Sequence, residues 1–183
     1  MPHSRIARHY AEILLEVARQ QGRLEEVSRD VAELRELLRQ SRPLVLFFRS
    51  PLINRDRKQA VVQELFAGRI EELLFRFLEV LVQKGREAHL MEALEAFEEL
   101  RDEALGILRV QLEVAVEPEA ELYEKIRSAL ATYTGRNIVA RLHVDRALIG
   151  GLRIRLPNRV IDGSVRHQLE LIRQRLKSGY ALN

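Results

Sequence analysis

The chain of 183 residues contains no cysteine. That excludes disulfides, thiolate metal sites and cysteine nucleophiles together, and it fits a reducing compartment. Tryptophan is also absent and aromatic residues make up only 5%, so leucine, isoleucine, valine and alanine must fill the core. No apolar run approaches the roughly 20 residues that a membrane-spanning helix requires. The opening MPHSRIARHYAEILLEVARQQG lacks the plan of a signal or transit peptide. Glutamates arrive early, and an amphipathic pattern begins almost at once. The expectation is a mature chain that starts here, in a cytoplasm.

What is present is ordinary for a globular protein: 46% hydrophobic and 31% charged residues. The length suits one or two domains. The net charge of +3 is unevenly placed. Residues up to Leu105 hold 17 basic and 19 acidic groups, about −2, and the remainder holds 13 and 8, about +5. A basic second half could face nucleic acid, a membrane surface or an acidic protein, and charge alone does not choose among them.

The first hundred residues have helical periodicity. Ile6, Tyr10, Ile13, Leu14 and Val17 recur at spacings of three and four, up to Gly22. Leu24, Val27, Val31, Leu34 and Leu38 repeat the pattern. Pro43 and Pro51 bracket a short apolar piece, and Asn54 can cap RDRKQAVVQELF, which stops at Gly68. Ile70, Leu73, Leu74, Phe77, Leu78 and Leu81 form a further stripe, and Leu90, Leu94, Phe97 and Leu100 the last. About six short helices with short loops predict an antiparallel bundle.

At Gly106 the period changes from helical spacing to two. Leu108, Val110, Leu112, Val114 and Val116 alternate with Arg109, Gln111, Glu113 and Ala115, which predicts a strand closed by Pro118. Leu122, Ile126 and Leu130 predict a helix ending at Gly135. Ile138 to Val144 and Leu152 to Leu156 predict two more strands, and Arg159 to Ile161 a short fourth. Val165, Leu169, Ile172 and Leu176 lie on a final helix. The fold class expected is mainly α: an N-terminal six-helix bundle over 1–105, then a small α+β domain over 106–183. A domain this small has little core of its own, so it is expected to lean on its own bundle or on a partner.

The stretch DRALIGGLRIRLPNRVIDGSVRHQLELIRQRL contains no obvious catalytic group. Gly150 and Gly151 suit a bulge or a close backbone approach. They are not part of a phosphate-binding loop, since neither G-x-G-x-x-G nor G-x-x-x-x-G-K is present. Pro157-Asn158 and Asp162-Gly163 read as turns, with Ser164 capping the final helix. Asp162, Ser164 and His167 lie within one turn, which does not suit a catalytic triad. The five histidines are scattered, and Glu98, Glu99, Asp102 and Glu103 read as a solvated acidic face. The expectation is no catalytic residue, no metal and no cofactor.

ALIGGLRIRLPNRVIDGSVRHQLELIRQRL closely resembles the C-terminal motif of the delta subunits of F-type ATP synthases, whose mitochondrial homologue is the oligomycin-sensitivity-conferring protein. ARHYAEILLEVARQQGRLEEV, SPLINRDRKQAVVQELF and FLEVLVQKGREAHLMEALEAFEELRDEALGILRVQLEVAV extend the resemblance over nearly the whole chain. One departure is Pro157-Asn158, where the family usually has a glycine-containing turn.

The resemblance implies a non-catalytic stator subunit on the cytoplasmic face of a bacterial plasma membrane, bound to the membrane only through its complex. It implies an N-terminal bundle that takes N-terminal helices of alpha subunits, with the beta subunit as a further candidate. It implies a C-terminal domain that holds the b subunits of the peripheral stalk. The groove it implies is lined by Tyr10, Ala11 and Leu14 on the first helix and by Phe75, Leu78, Glu79 and Val82 on the fifth, although the same stripes fit plain intramolecular core. The C-terminal motif residues are Gly150, Gly151, Asp162, Gly163, Ser164, Val165 and Arg166. The alternative drawn from the basic second half is a nucleic-acid-binding adaptor. Against it, the strands are poor in exposed aromatics on which bases could stack.

Overall fold

A computed structural model describes residues 4–157 and 159–179. Its elements run α1 (Arg5–Gln20), α2 (Leu24–Gln40), α3 (Arg42–Arg49), α4 (Arg55–Phe66), α5 (Glu72–Gln83) and α6 (Leu90–Ala104). There follow β1 (Ile107–Val114), α7 (Ala120–Thr134), β2 (Asn137–Val144), β3 (Leu152–Leu156), β4 (Arg159–Asp162) and α8 (Val165–Gly179). The structure is mainly helical with one small four-stranded sheet. It divides into two compact units, residues 1–101 and 102–183.

In the first unit the helix starts are written locally. The Ser4 hydroxyl accepts from the Ala7 N–H at 3.2 Å, and the Asn54 side chain from the Arg57 N–H at 2.9 Å. Each satisfies a backbone donor that the helix itself leaves open. Pro43 sits in the first turn of α3, where its missing N–H costs nothing. The apolar piece between the two prolines is therefore helix.

The buried face of α1 differs from the stripe expected. Ala7, Ala11, Leu14, Leu15 and Ala18 are buried, while Ile13 is exposed. The alanines let α1 approach α2 and α5 closely, so the contact line runs along small residues rather than along the largest ones. Val27, Val31, Leu34 and Leu38 of α2 and Leu74, Phe77, Leu78, Leu81 and Val82 of α5 complete this core with residues of α6.

In the second unit the sheet order is β2-β1-β3-β4. β1 and β2 are parallel, in register from Ile107↔Asn137 to Val114↔Val144, and α7 makes the crossover that parallel strands need. β3 pairs antiparallel with β1 and with β4. The α7 side of the sheet holds Val110, Leu112, Ile138 and Ile154 against Leu130. The Tyr123 hydroxyl donates to the Ala140 carbonyl at 3.1 Å, pinning α7 to β2.

Three expectations need correction in this unit. β1 ends at Val114, and Val116 is exposed beyond it. Glu113, expected on a polar outer face, is buried beneath two arginines. Leu122 is exposed on α7, which packs through Ile126 and Leu130 instead. The turn expected at Pro157-Asn158 includes Asn158, which lies outside the described residues.

Candidate functional site

The C-terminal motif builds a mooring for α8. The Gly150 carbonyl accepts from the Val165 N–H at 3.0 Å, and the Leu152 carbonyl from the Gly163 N–H at 3.0 Å. Gly151 has φ +73°, and a Cβ there would stand 2.4 Å from the Gly163 carbonyl oxygen. A Cβ on Gly150 would stand 2.9 Å from Cγ2 of Val165. Glycine is thus required twice, so that the backbone before β3 can lie against the start of α8. Ser164 is fully buried, and its hydroxyl accepts from the His167 N–H at 3.2 Å, capping the helix.

Charged groups tie this mooring to the sheet. The Ser164 N–H donates to Asp162 Oδ1 at 3.0 Å. Arg153 Nε donates to Asp162 Oδ2 at 2.7 Å, and Arg153 Nη1 to Glu113 Oε2 at 3.1 Å. Arg155 forks onto the same Glu113. Sheet register brings these groups together: Glu113 faces Arg153 across β1 and β3, and Arg153 faces Asp162 across β3 and β4. Hydrogen bonding from the Ser164 side chain, aided by its N–H and by Arg153, draws the Asp162 carboxyl down to a pKa of about 2 against the opposing effect of burial. Arg155 first, then Arg153, lowers that of Glu113 against its burial.

Next to the mooring, Ile149 adopts φ 68°, ψ −42° and is 64% exposed. It is the one residue other than glycine with positive φ among the described residues. For a β-branched side chain this conformation costs about 1–3 kcal/mol. Its neighbours hold it there. Leu148 is buried, Asp145 Oδ1 accepts from the Ala147 N–H at 3.0 Å, and Gly150 is bonded to Val165. Nothing in the sequence pattern singled out Ile149; the isoleucine before two glycines was the available signal.

Of the motif residues, Gly150, Gly151, Asp162, Gly163, Ser164 and Val165 meet at this mooring. Arg166 is exposed on the first turn of α8 and donates to Glu170 at 3.4 Å. The apolar stripe of the final helix does not face a core. Leu169, Ile172 and Leu176 are 52%, 53% and 60% exposed.

The expected groove residues lie on α1 and α5, which are packed together. Ala11, Leu14, Leu78 and Val82 are buried in the core of the first unit. Tyr10, Phe75 and Glu79 are half-buried at its edge, with the Tyr10 ring edge-on to Phe77 at 6.4 Å between centroids. The acidic face expected to be solvated on α6 is partly used. Glu98 pairs with Arg35 at 2.5 Å, and buried Asp102 pairs with Arg109. Among the described residues no group of three His, Cys, Asp or Glu side chains is placed to hold a metal ion. Nor is any of their helices long and apolar enough to cross a membrane.

These features define a class first: a mainly helical chain in two units, the second an α+β unit that carries a moored helix with an uncovered apolar stripe. Comparison with known proteins supplies the family. A profile described as ATP synthase delta (OSCP) subunit matches residues 6–176. The ATP synthase subunit delta of Salinibacter ruber is 41% identical over 177 residues, 97% of this chain and 93% of that protein. That of Chlorobium luteolum is 36% identical over 170 residues, 93% and 94% of the two chains. A chain of the Toxoplasma gondii mitochondrial ATP synthase hexamer, solved by cryo-EM, has the same fold, with a TM-score of 0.67 and 24% identity over 93% of this chain and 96% of that one. The chain belongs to the ATP synthase delta (OSCP) subunit family. It is a stator, or peripheral-stalk, component of an F-type ATP synthase.

Proposed function

We propose that the chain performs no bond chemistry and acts by holding two neighbours at once. The six helices of the first unit form one bundle that grips the catalytic head by taking N-terminal helices of alpha subunits. The second unit holds the b subunits of the peripheral stalk. Rotation of the central rotor is then coupled to proton translocation and ATP synthesis, because the head cannot turn with it. The enzyme stands in the bacterial plasma membrane, and this subunit lies on its cytoplasmic face.

The observation that carries this reading is coverage. The family match spans both units, from residue 6 to residue 176, which supports a holding role for each. At the head contact Tyr10, Phe75 and Glu79 are the accessible groove residues. Ala11, Leu14, Leu78 and Val82 shape the groove from beneath by setting how closely α1 and α5 approach. A helix laid there would be read at three- and four-residue spacing. The nucleic-acid reading loses support because Arg109, Arg153 and Arg155 are committed to Asp102, Asp162 and Glu113.

The test is a calorimetric titration of the full chain with a synthetic peptide from an alpha-subunit N-terminus. The expected outcome is binding with Kd below about 1 µM, worth about −8 kcal/mol, and ordering of the peptide into helix by circular dichroism. Absence of both heat and ordering would overturn the head contact.

A further inference from the structure

We propose that Ile149 and the exposed stripe of α8 form one docking surface, and that its occupant is an acidic amphipathic helix of another polypeptide. This rests on the stator reading and specifies what a stalk helix must carry to be held here. The stripe Val165, Leu169, Ile172, Leu176 is spaced four, three and four, the a/d seam of a two-stranded coiled coil. Val165 rests against Gly150, so the seam starts at the mooring. Leu169, Ile172 and Leu176 continue it, each more than half exposed. Ile149, exposed and next in the chain to Gly150, adds an apolar residue beside the mooring from which the seam starts. A strained, exposed isoleucine gives the free chain no packing in return for its conformation. The strain makes sense as preorganisation for a contact.

The flanks of the seam choose the occupant. The positions beside it, e and g of the heptad, hold Arg166, Gln168, Arg173 and Arg175. None is acidic, and Glu170 lies outside them. A second copy of this chain would bring no acidic group to these arginines: with the helices parallel, Gln168 at g meets Arg173 at e, and with them antiparallel, Arg166 meets Arg173 and Gln168 meets Arg175. A helix with glutamate or aspartate at these positions meets opposite charge in either direction. The seam is two residues wide per heptad, narrower than the broad apolar face with which a helix lies on a bilayer.

The test uses the full chain and two synthetic helices of about four heptads with identical leucine and isoleucine seams. One carries glutamate at every e and g position, the other lysine. The glutamate helix is expected to bind about tenfold more tightly or better, with affinity falling as salt screens the pairs. The variant R166E/R173E/R175E should reverse the preference. These side chains are exposed, so it should keep its thermal midpoint. Ile149→Gly should raise the thermal midpoint by relieving strain and yet weaken the glutamate helix, opposite signs that a merely structural isoleucine would not give.

Equal affinity for the two helices, salt-insensitive self-association, or binding to anionic phosphatidylglycerol vesicles in preference to the glutamate helix would overturn the proposal. If any of these occurs while the wild-type chain still purifies with its ATP synthase, this docking surface falls and the stator reading stands. If the wild-type chain does not purify with that enzyme, the stator reading itself falls.

Discussion

Gly151 has no room for a methyl group. Alanine there would meet the Gly163 carbonyl oxygen at 2.4 Å and would hold φ +73° without the freedom of glycine. Gly151→Ala is expected to destabilise the second unit by more than about 2 kcal/mol. The loss should appear in chemical denaturation and as faster hydrogen exchange in β3 and α8. Asp162 gives the same mooring a pH dependence. Its folded pKa of about 2 lies below the ordinary 3.8, so its contribution is fully present above about pH 4 and is lost as pH falls through about 2. With solvent screening this contribution is about 1 kcal/mol. Thermal midpoints measured from pH 5 to pH 2 should fall less steeply in Asp162→Asn than in the wild type, and parallel curves would refute this linkage.

At the scale of elements, one buried cation joins three segments of the first unit. Lys58 on α4 donates to the Phe48 carbonyl of α3 at 3.0 Å and to Glu87 Oε1, in the short turn before α6, at 2.6 Å. It is 3% exposed. Removing it strands a carboxylate and a carbonyl, a loss of about 3–5 kcal/mol. Urea denaturation of Lys58→Ala should show a loss of that size, and Lys58→Met combined with Glu87→Gln should recover much of it. A hydrophobic-stripe reading could not find this residue. Lysine in RDRKQAVVQELF looks like solvated helix surface until α3 and the turn close over it. The helices themselves were legible, because hydrophobic period marks them and, at Asn54, a capping residue marks where one begins. The faces were less so: α1 buries alanines rather than Ile13, since close approach to α2 and α5 decided the contact line.

At the scale of the molecule, the two compact units divide at residue 101, a few residues before the change of hydrophobic period at Gly106. The difference has a cause. Asp102, at the end of α6, pairs with Arg109 on β1, so the last turn of the helix belongs with the sheet. We expect a fragment of residues 1–101 to fold alone, with a helical circular dichroism spectrum and a cooperative thermal transition. A fragment that stays unfolded would mean that the first unit depends on the second. The proposed work of the chain needs both units, because a stator that holds one neighbour resists no torque.

The order of elements, the switch from helical to strand period and the GG…DGS motif were determined by the sequence alone, because caps, glycine turns and periodicity are local. The family was legible there too, through residues that recur in one order along nearly the whole chain. Only tertiary structure decided that Glu113 is buried, that Lys58 is a tie and that Ile149 is strained. Only tertiary structure left the seam of α8 uncovered. An apolar stripe shows that a helix has a face to bury, and whether its own chain supplies the cover depends on where the other elements end.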